Sequence, residues 1–166
     1  VMVRNPYYPE QVTRYVLNPS VVDVLVFCTK NPQPMISRLE RLSTYDMFWF
    51  VTITPYGREI EPFVPPKEKL IESFVPPKED VIRSFIELSD MVGREKMSWR
   101  YDPVFITEKY SVDYHIACFA EMTEKLRGYT GQCVVSFLDL YEKTKRNFRE
   151  ARGVTRDEQE RIIEAF

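Results

Sequence analysis

Hydrophobic and polar residues follow one another along this chain in blocks that predict strands alternating with helices. The first strand-like block, residues 21–29, is apolar except for Asp23 and Thr29, and such a run is typical of a strand buried on both faces. Three later blocks also predict strands: residues 48–53, 97–100 and 133–138. Because helical patterns separate the strands, we expect an α/β fold with a parallel sheet and right-handed crossovers, either a barrel or an open sheet.

The helical segments follow from apolar residues spaced three and four apart, together with end signals. The second helix begins at a proline pair and ends at Gly93, and the third begins at Ser111 and ends at Gly128. The last helix begins with a capping box at Thr155. The predicted helices are residues 34–42, 76–92, 112–126, 141–152 and a final helix after Thr155.

A tandem repeat lies between the second strand and the second helix. Residues 61–71 and 72–82 match at eight of eleven positions, and both contain Val-Pro-Pro-Lys-Glu. Pro76 and Pro77 prevent the two copies from forming one straight helix. Two interpretations remain open: a lid or arm over the strand ends, and a tandem duplication on the surface, which the low entropy cost of surface insertions favours.

Composition narrows the class of protein. The 166 residues are 44% hydrophobic and 29% charged with a formal net charge of −2, which argues against disorder and against a wholesale electrostatic attraction to nucleic acid. No apolar run reaches the roughly 18 residues of a membrane span. Cys28, Cys118 and Cys133 are odd in number and far apart, so we expect no disulfide framework and a cytoplasmic protein.

The two ends of the chain favour a single, incomplete domain. The chain opens on an apolar run at residues 1–3 and closes on a helical pattern at residues 162–166 that has neither a glycine cap nor a polar tail. We therefore expect residues 1–166 to be one domain, and a fragment of a longer barrel protein.

Polar side chains follow the predicted strands at their carboxyl ends, which is where ligands bind in proteins with parallel sheets. Arg100 and Asp102 are two residues apart and project to the same side, where they would bind a carboxylate or phosphate and exchange protons. The alternative is that the two side chains pair with each other, or with polar groups of adjacent strands, in a purely structural role. The other candidates at strand ends are a cation, an amide, a hydroxyl and a second carboxylate: Lys30, Asn31, Thr54 and Asp139.

Three further features favour a structural role. His115, the only histidine, has no Cys or carboxylate neighbours at ligand spacing, so we expect no metal site. Trp99 is expected in the core. The basic residues of the predicted helix 141–152 should mostly face solvent. A non-enzymatic module that contacts nucleic acid or a phosphorylated partner through this helix is the alternative function.

The collinear set of motifs resembles a bacterial family of uncharacterised proteins, the domain of unknown function numbered eighteen-forty-eight. The resemblance is carried by Val-Arg-Asn-Pro at 3–6, Val-Phe-Cys-Thr-Lys-Asn-Pro at 26–32, Thr-Ile-Thr-Pro-Tyr-Gly at 52–57, Trp-Arg-Tyr-Asp-Pro at 99–103 and Val-Ser-Phe-Leu-Asp-Leu-Tyr-Glu-Lys-Thr-Lys-Arg-Asn at 135–147.

Members of that family look similar to radical S-adenosylmethionine enzymes and to spore photoproduct lyase. The resemblance implies a partial (β/α) barrel with mainly parallel strands and a redox enzyme with an iron–sulfur cluster. This chain differs from the family in lacking the cysteine-rich tail. The cluster and S-adenosylmethionine are therefore expected only in a full-length protein. On this hypothesis Lys30, Asn31, Thr54 and Arg100 bind an anionic group of cofactor or substrate, and Asp102 and Asp139 are the catalytic carboxylates.

Overall fold

The computed structural model describes residues 2–4 and 12–14 as backbone, and residues 17–56, 76–138, 146 and 148–166 with their side chains. The first two segments pair as antiparallel strands, β1 (Met2–Arg4) and β2 (Val12–Arg14). The remaining strands are β3 (Val24–Thr29), β4 (Asp46–Thr52), β5 (Met97–Val104) and β6 (Gln132–Phe137). The helices of the described residues are α1 (Gln33–Ile36), α2 (Lys78–Val92), α3 (Val112–Leu126) and α4 (Arg156–Ala165), with 3₁₀ turns at Leu39–Leu42 and Arg94–Lys96.

The main sheet consists of four parallel strands in the order β3-β4-β5-β6, which is also their order along the chain. Helices alternate with these strands, so the predicted parallel α/β architecture is confirmed. The sheet is open: β3 and β6 are its edges in the part of the chain that the structure describes. The described residues form a four-stranded parallel sheet that does not close, and the barrel stays a prediction.

One face of this sheet carries the hydrophobic core. Its largest members are Trp49 on β4 and Trp99 on β5; Trp49 stacks on Phe27 and Trp99 on Phe119 of α3, as predicted for Trp99. Side chains from all four helices join the same cluster. Each fully buried aliphatic or phenylalanine side chain stabilises such a core by roughly 1.5–3 kcal/mol.

The opposite face, which we call the open face, has no apolar residue in that core cluster. Strand register and the alternation of side chains place on it Val24, Val26, Cys28, Phe48, Phe50, Thr52, Ser98, Arg100, Asp102, Val134 and Ser136. Most of these side chains are half-buried or exposed. The helices of the described residues thus cover one side of the sheet and leave the other available.

Two predictions about the first strand and helix were wrong. Residues 21–29 were expected to be buried on both faces, but β3 begins at Val24 and its open-face residues are solvent-accessible, 47% for Val24 and 55% for Val26. The reason is that nothing in the described chain covers the open face beside this edge strand. The predicted helix 34–42 is divided at Ser37 into α1 and a 3₁₀ turn.

The longer helices agree closely with their local signals. Helix α2 follows Pro77 and ends at Gly93, whose φ of 93° lies in the left-handed region that glycine tolerates. The hydroxyl of Ser111 accepts a hydrogen bond from the backbone N–H of Tyr114, and Thr155 opens α4 with the predicted capping box. None of the helices that the structure describes is long and apolar enough to cross a membrane.

The predicted basic helix 141–152 does not extend to its expected end. Phe148 is buried, residues 149–150 form a turn, and Arg152 pairs with Ile106 as an isolated antiparallel bridge. The aromatic contacts of Phe148 with Phe105 hold the chain in this non-helical path. Residues 139–145, and the repeat apart from residues 76–82, lie outside the described residues, and with them the interpretations placed on the repeat.

Candidate functional site

The carboxyl ends of the four parallel strands meet at one edge of the sheet. There Thr52 of β4 lies in register with Arg100 of β5, and Arg100 lies in register with Val134 of β6. Arg100 therefore occupies a central position at this edge, on the open face. This is the edge at which sequence analysis expected a ligand.

A three-residue polar network, which we call the Arg100–Asp102–Ser136 network, lies at this position. Nη2 of Arg100 donates to Oδ2 of Asp102, and Oγ of Ser136 donates to Oδ1 of the same carboxylate. The side chain of Arg100 is 33% exposed and that of Asp102 19% exposed. The two charges are thus shielded from bulk water, yet both remain accessible from the open face.

A break in the ladder between β5 and β6 shapes the network. Tyr101 is in register with Val135 and Val104 with Phe137, so Asp102 and Pro103 together lie opposite Ser136. Two residues facing one is the pattern of a β-bulge, which re-aims side chains at the ends of strands. The peptide bond between Asp102 and Pro103 is cis.

The network retains unused hydrogen-bonding capacity. A guanidinium carries five N–H donors and a carboxylate about four lone-pair sites. Among the described residues, the side chain of Arg100 donates to Asp102 alone, and each carboxylate oxygen of Asp102 accepts one hydrogen bond. Arg100 and Asp102 do pair with each other, as the predicted alternative states. The pairing nevertheless leaves donors and acceptors for a ligand.

The other predicted site residues lie at the same edge without joining the network. Lys30 is exposed and Asn31 half-buried just beyond β3, where the Thr29 hydroxyl accepts from the backbone N–H of Asn31 at 3.0 Å. Thr54 is half-buried two residues beyond β4. Since β4 separates β3 from β5, Lys30 and Arg100 stand on strands about 10 Å apart. Asp139 lies outside the described residues.

An aromatic cluster packs where β4 and β5 end. It is built from Phe105, Tyr110, Phe148, Tyr56 and Tyr114. The Tyr56 hydroxyl donates to the carbonyl of Pro103 at 2.7 Å and accepts from the backbone N–H of Phe105 at 3.3 Å. Burial raises the pKa of Tyr56, so this phenol stays neutral and holds the backbone that follows Asp102.

His115 is a core residue, as predicted. It is fully buried, and both ring nitrogens have partners: Nε2 lies 2.9 Å from the Phe105 carbonyl oxygen and Nδ1 lies 2.8 Å from the Tyr101 hydroxyl. Burial lowers its pKa. These contacts tie α3 to the end of β5 and place His115 away from the open face.

The cysteines do not form a metal centre in the described structure. Cys28 is exposed on the open face, Cys133 faces the core side of the sheet, and Cys118 lies on α3. Burial raises the pKa of the Cys133 thiol to about 12, whereas a cluster ligand must be a thiolate. Within the described ranges no group of three or more His, Cys, Asp or Glu side chains is placed to hold a metal ion. These cysteines do not fit an iron–sulfur cluster.

Ser136 is the member of the network that sequence analysis missed. Serine within an apolar strand carries little signal on its own. It lies two residues after Val134 and therefore on the open face, but its contact with Asp102 spans 34 positions. Only strand pairing and the bulge bring the two side chains together.

Comparison with known proteins assigns a family without an activity. A family model described as "Domain of unknown function (DUF1848)" matches residues 1–166. No curated protein and no solved structure matches the chain. The expected membership of an uncharacterised family is confirmed, and the likeness to radical S-adenosylmethionine enzymes stays a prediction.

Proposed function

The chain belongs to the DUF1848 family of domains of unknown function, and on that premise we propose that it forms the ligand-binding wall of an enzyme acting on an anionic small molecule. The ligand lies at the carboxyl ends of the parallel strands, on the open face. One observation carries the proposal: a half-buried arginine–aspartate pair stands there, on the face that the described helices leave uncovered.

Each residue has a distinct role in this proposal. Arg100 binds the anion, because a guanidinium presents N–H donors in a planar fork that matches carboxylate and phosphate oxygens. Asp102 orients Arg100 and accepts a proton or a donor group of the ligand. Lys30, Asn31 and Thr54 contact more distant parts of the ligand, and Asp139 is a second carboxylate of the site.

The arrangement of strands and helices supports this placement. Strands in sequence order, with the helices packed on one side, are how consecutive units of a (β/α) barrel are arranged, and barrel active sites lie at the carboxyl ends of the strands. The open face would then be the inner wall of the pocket. A doubly wound sheet, in contrast, places helices on both faces.

The decisive experiment for anion binding is a titration with inorganic phosphate and with acetate at low ionic strength, followed by calorimetry. Arg100→Gln should weaken binding of at least one anion about tenfold, the effect of losing a charged hydrogen bond. Arg83→Gln is the matched control, because Arg83 pairs with Asp80 on the exposed surface of α2. Arg100→Lys keeps the charge and should retain part of the affinity. Anion binding that is indifferent to Arg100 would reject the proposal.

The finer proposal is that the enzyme is of the radical S-adenosylmethionine type, and it rests on the resemblance of the family's motifs. Such a cluster would need ligands other than Cys28, Cys118 and Cys133. The test is to purify the protein encoded by the whole gene without oxygen and to assay iron, sulfide and S-adenosylmethionine binding. Absence of all three would reject this class and leave the anion site standing.

A further inference from the structure

The Arg100–Asp102–Ser136 network is complementary to two opposite charges on one ligand. We propose that the ligand is a zwitterion of the α-amino-acid type with an apolar side chain, whose carboxylate is bound by Arg100 and whose ammonium group is bound by Asp102. This inference rests on the proposed function and names the chemical class of its ligand.

The first argument concerns charge. Arg100 and Asp102 are in direct contact, so any ligand group close enough to accept from the guanidinium also lies beside the carboxylate. For a simple anion, the attraction to Arg100 is partly offset by repulsion from Asp102, and for a simple cation the attraction to Asp102 is partly offset by repulsion from Arg100. A head group that carries a carboxylate and an ammonium one carbon apart meets both charges favourably.

The second argument concerns hydrogen bonds. Ser136 donates its hydroxyl proton to Oδ1 of Asp102, and Arg100 donates to Oδ2, which fixes the carboxylate in place. Each oxygen keeps lone pairs, and the ammonium group of an amino acid has three donors. The remaining guanidinium N–H groups of Arg100 suit the two oxygens of the ligand's carboxylate.

The third argument concerns burial. The other ion pairs of the described residues have at least one side chain that is exposed, such as Arg83–Asp80 at 75% and 50% exposure, whereas the side chains of Arg100 and Asp102 are 33% and 19% exposed. Exposed ion pairs contribute little to recognition because water screens them. A pair sheltered on a face that the described helices leave uncovered is placed for a ligand rather than for solvent.

The apolar side chain of the ligand has a surface next to the network. Phe50 lies two residues before Thr52, on the same face of β4, and its ring centroid is 5.1 Å from that of Phe48. Val134, in register with Arg100, borders the other side. Polar groups at the strand ends and aromatic rings behind them match a ligand with a charged head and an apolar body.

Three matched probes test the inference: phenylalanine, 3-phenylpropionate, which lacks the ammonium group, and phenethylamine, which lacks the carboxylate. Calorimetry should show phenylalanine binding about tenfold more tightly than either analogue. Asp102→Asn should weaken binding of phenylalanine and phenethylamine, and it should not weaken binding of 3-phenylpropionate, because it removes a like charge. Arg100→Gln should weaken binding of phenylalanine and 3-phenylpropionate, and for the same reason it should not weaken binding of phenethylamine. Asp80→Asn and Arg83→Gln, in the exposed pair on α2, are controls that should change nothing.

The outcomes separate this inference from the proposed function. If 3-phenylpropionate binds as tightly as phenylalanine and its binding depends on Arg100, the zwitterion is wrong and the anion site stands. If no probe that carries a carboxylate depends on Arg100, the zwitterion is wrong, and if phosphate binding is also indifferent to Arg100, the anion site is wrong as well. Should Asp102→Asn fail to fold, the rank order of the three probes on the unaltered protein decides, and equal affinities or no binding overturn the inference.

Discussion

The hydroxyl of Tyr101 donates a hydrogen bond to Nδ1 of His115 across 2.8 Å, inside the core. This direction follows from the second contact of the ring. Nε2 faces the carbonyl oxygen of Phe105 at 2.9 Å, and a carbonyl oxygen only accepts, so Nε2 carries the proton and Nδ1 is the acceptor. This pair of contacts suits the neutral imidazole, and burial disfavours the charged form.

Stability should therefore fall as the solution becomes mildly acidic. The pKa of His115 is lowered in the folded protein from its ordinary value of about 6.5, so the unfolded chain binds more protons and the free energy of unfolding decreases as pH drops through about 6.5. Urea unfolding between pH 7.5 and 5.5 measures this slope. His115→Gln should be less stable and should lose the slope, because this chain has no other histidine. An unchanged slope in the variant would assign it to other groups.

The helix ends could be predicted from neighbouring residues in the sequence. Strand burial and the contacts between distant residues could not, because they depend on how the strands and helices pack. Helix α2 ends at Gly93 as expected and begins at Lys78, two residues after its predicted start, and Ser111 caps α3 as expected, since capping depends on neighbouring residues. The exposure of Val26 could not be predicted, because burial of a strand depends on what covers each face. The same holds for the pairing of Asp102 with Ser136, which needs the register of β5 and β6 and the bulge between them.

Thiol reactivity should distinguish the two faces of the sheet. Cys28 is exposed on the open face, whereas burial on the core side raises the pKa of Cys133 to about 12. The thiolate is the reactive form, so iodoacetamide at pH 8 should modify Cys28 well before Cys133. Peptide mass spectrometry over time gives the order of labelling. Cys28→Ser should remove the fast phase, and early modification of Cys133 would contradict the assignment of faces.

Truncation of two valines on neighbouring strands should show how much each face of the sheet contributes to the free energy of unfolding. Val51 is fully buried on the core side of β4, and Val26 is 55% exposed on the open face of β3. Val51→Ala should lower the free energy of unfolding by about 2–3 kcal/mol, from lost burial plus a cavity. Val26→Ala should change it by less than about 0.5 kcal/mol. Denaturant unfolding measures both, and equal losses would show that the open face is covered in solution.

The hydrogen bond from Ser136 to Asp102 should appear as a coupling energy in a double-mutant cycle. Ser136→Ala and Asp102→Ala each remove one partner of a charge-assisted bond, and we expect a coupling of about 1 kcal/mol in the free energy of unfolding. The unpaired charge left on Arg100 is common to Asp102→Ala and the double mutant, so it cancels from the cycle. Ser136→Ala combined with Asp90→Asn on the exposed side of α2 is the control and should be additive within about 0.5 kcal/mol. Additivity of Ser136→Ala and Asp102→Ala would mean that this bond does not form in solution. The carboxylate to which the ligand's ammonium group is assigned would then not be held in place by Ser136.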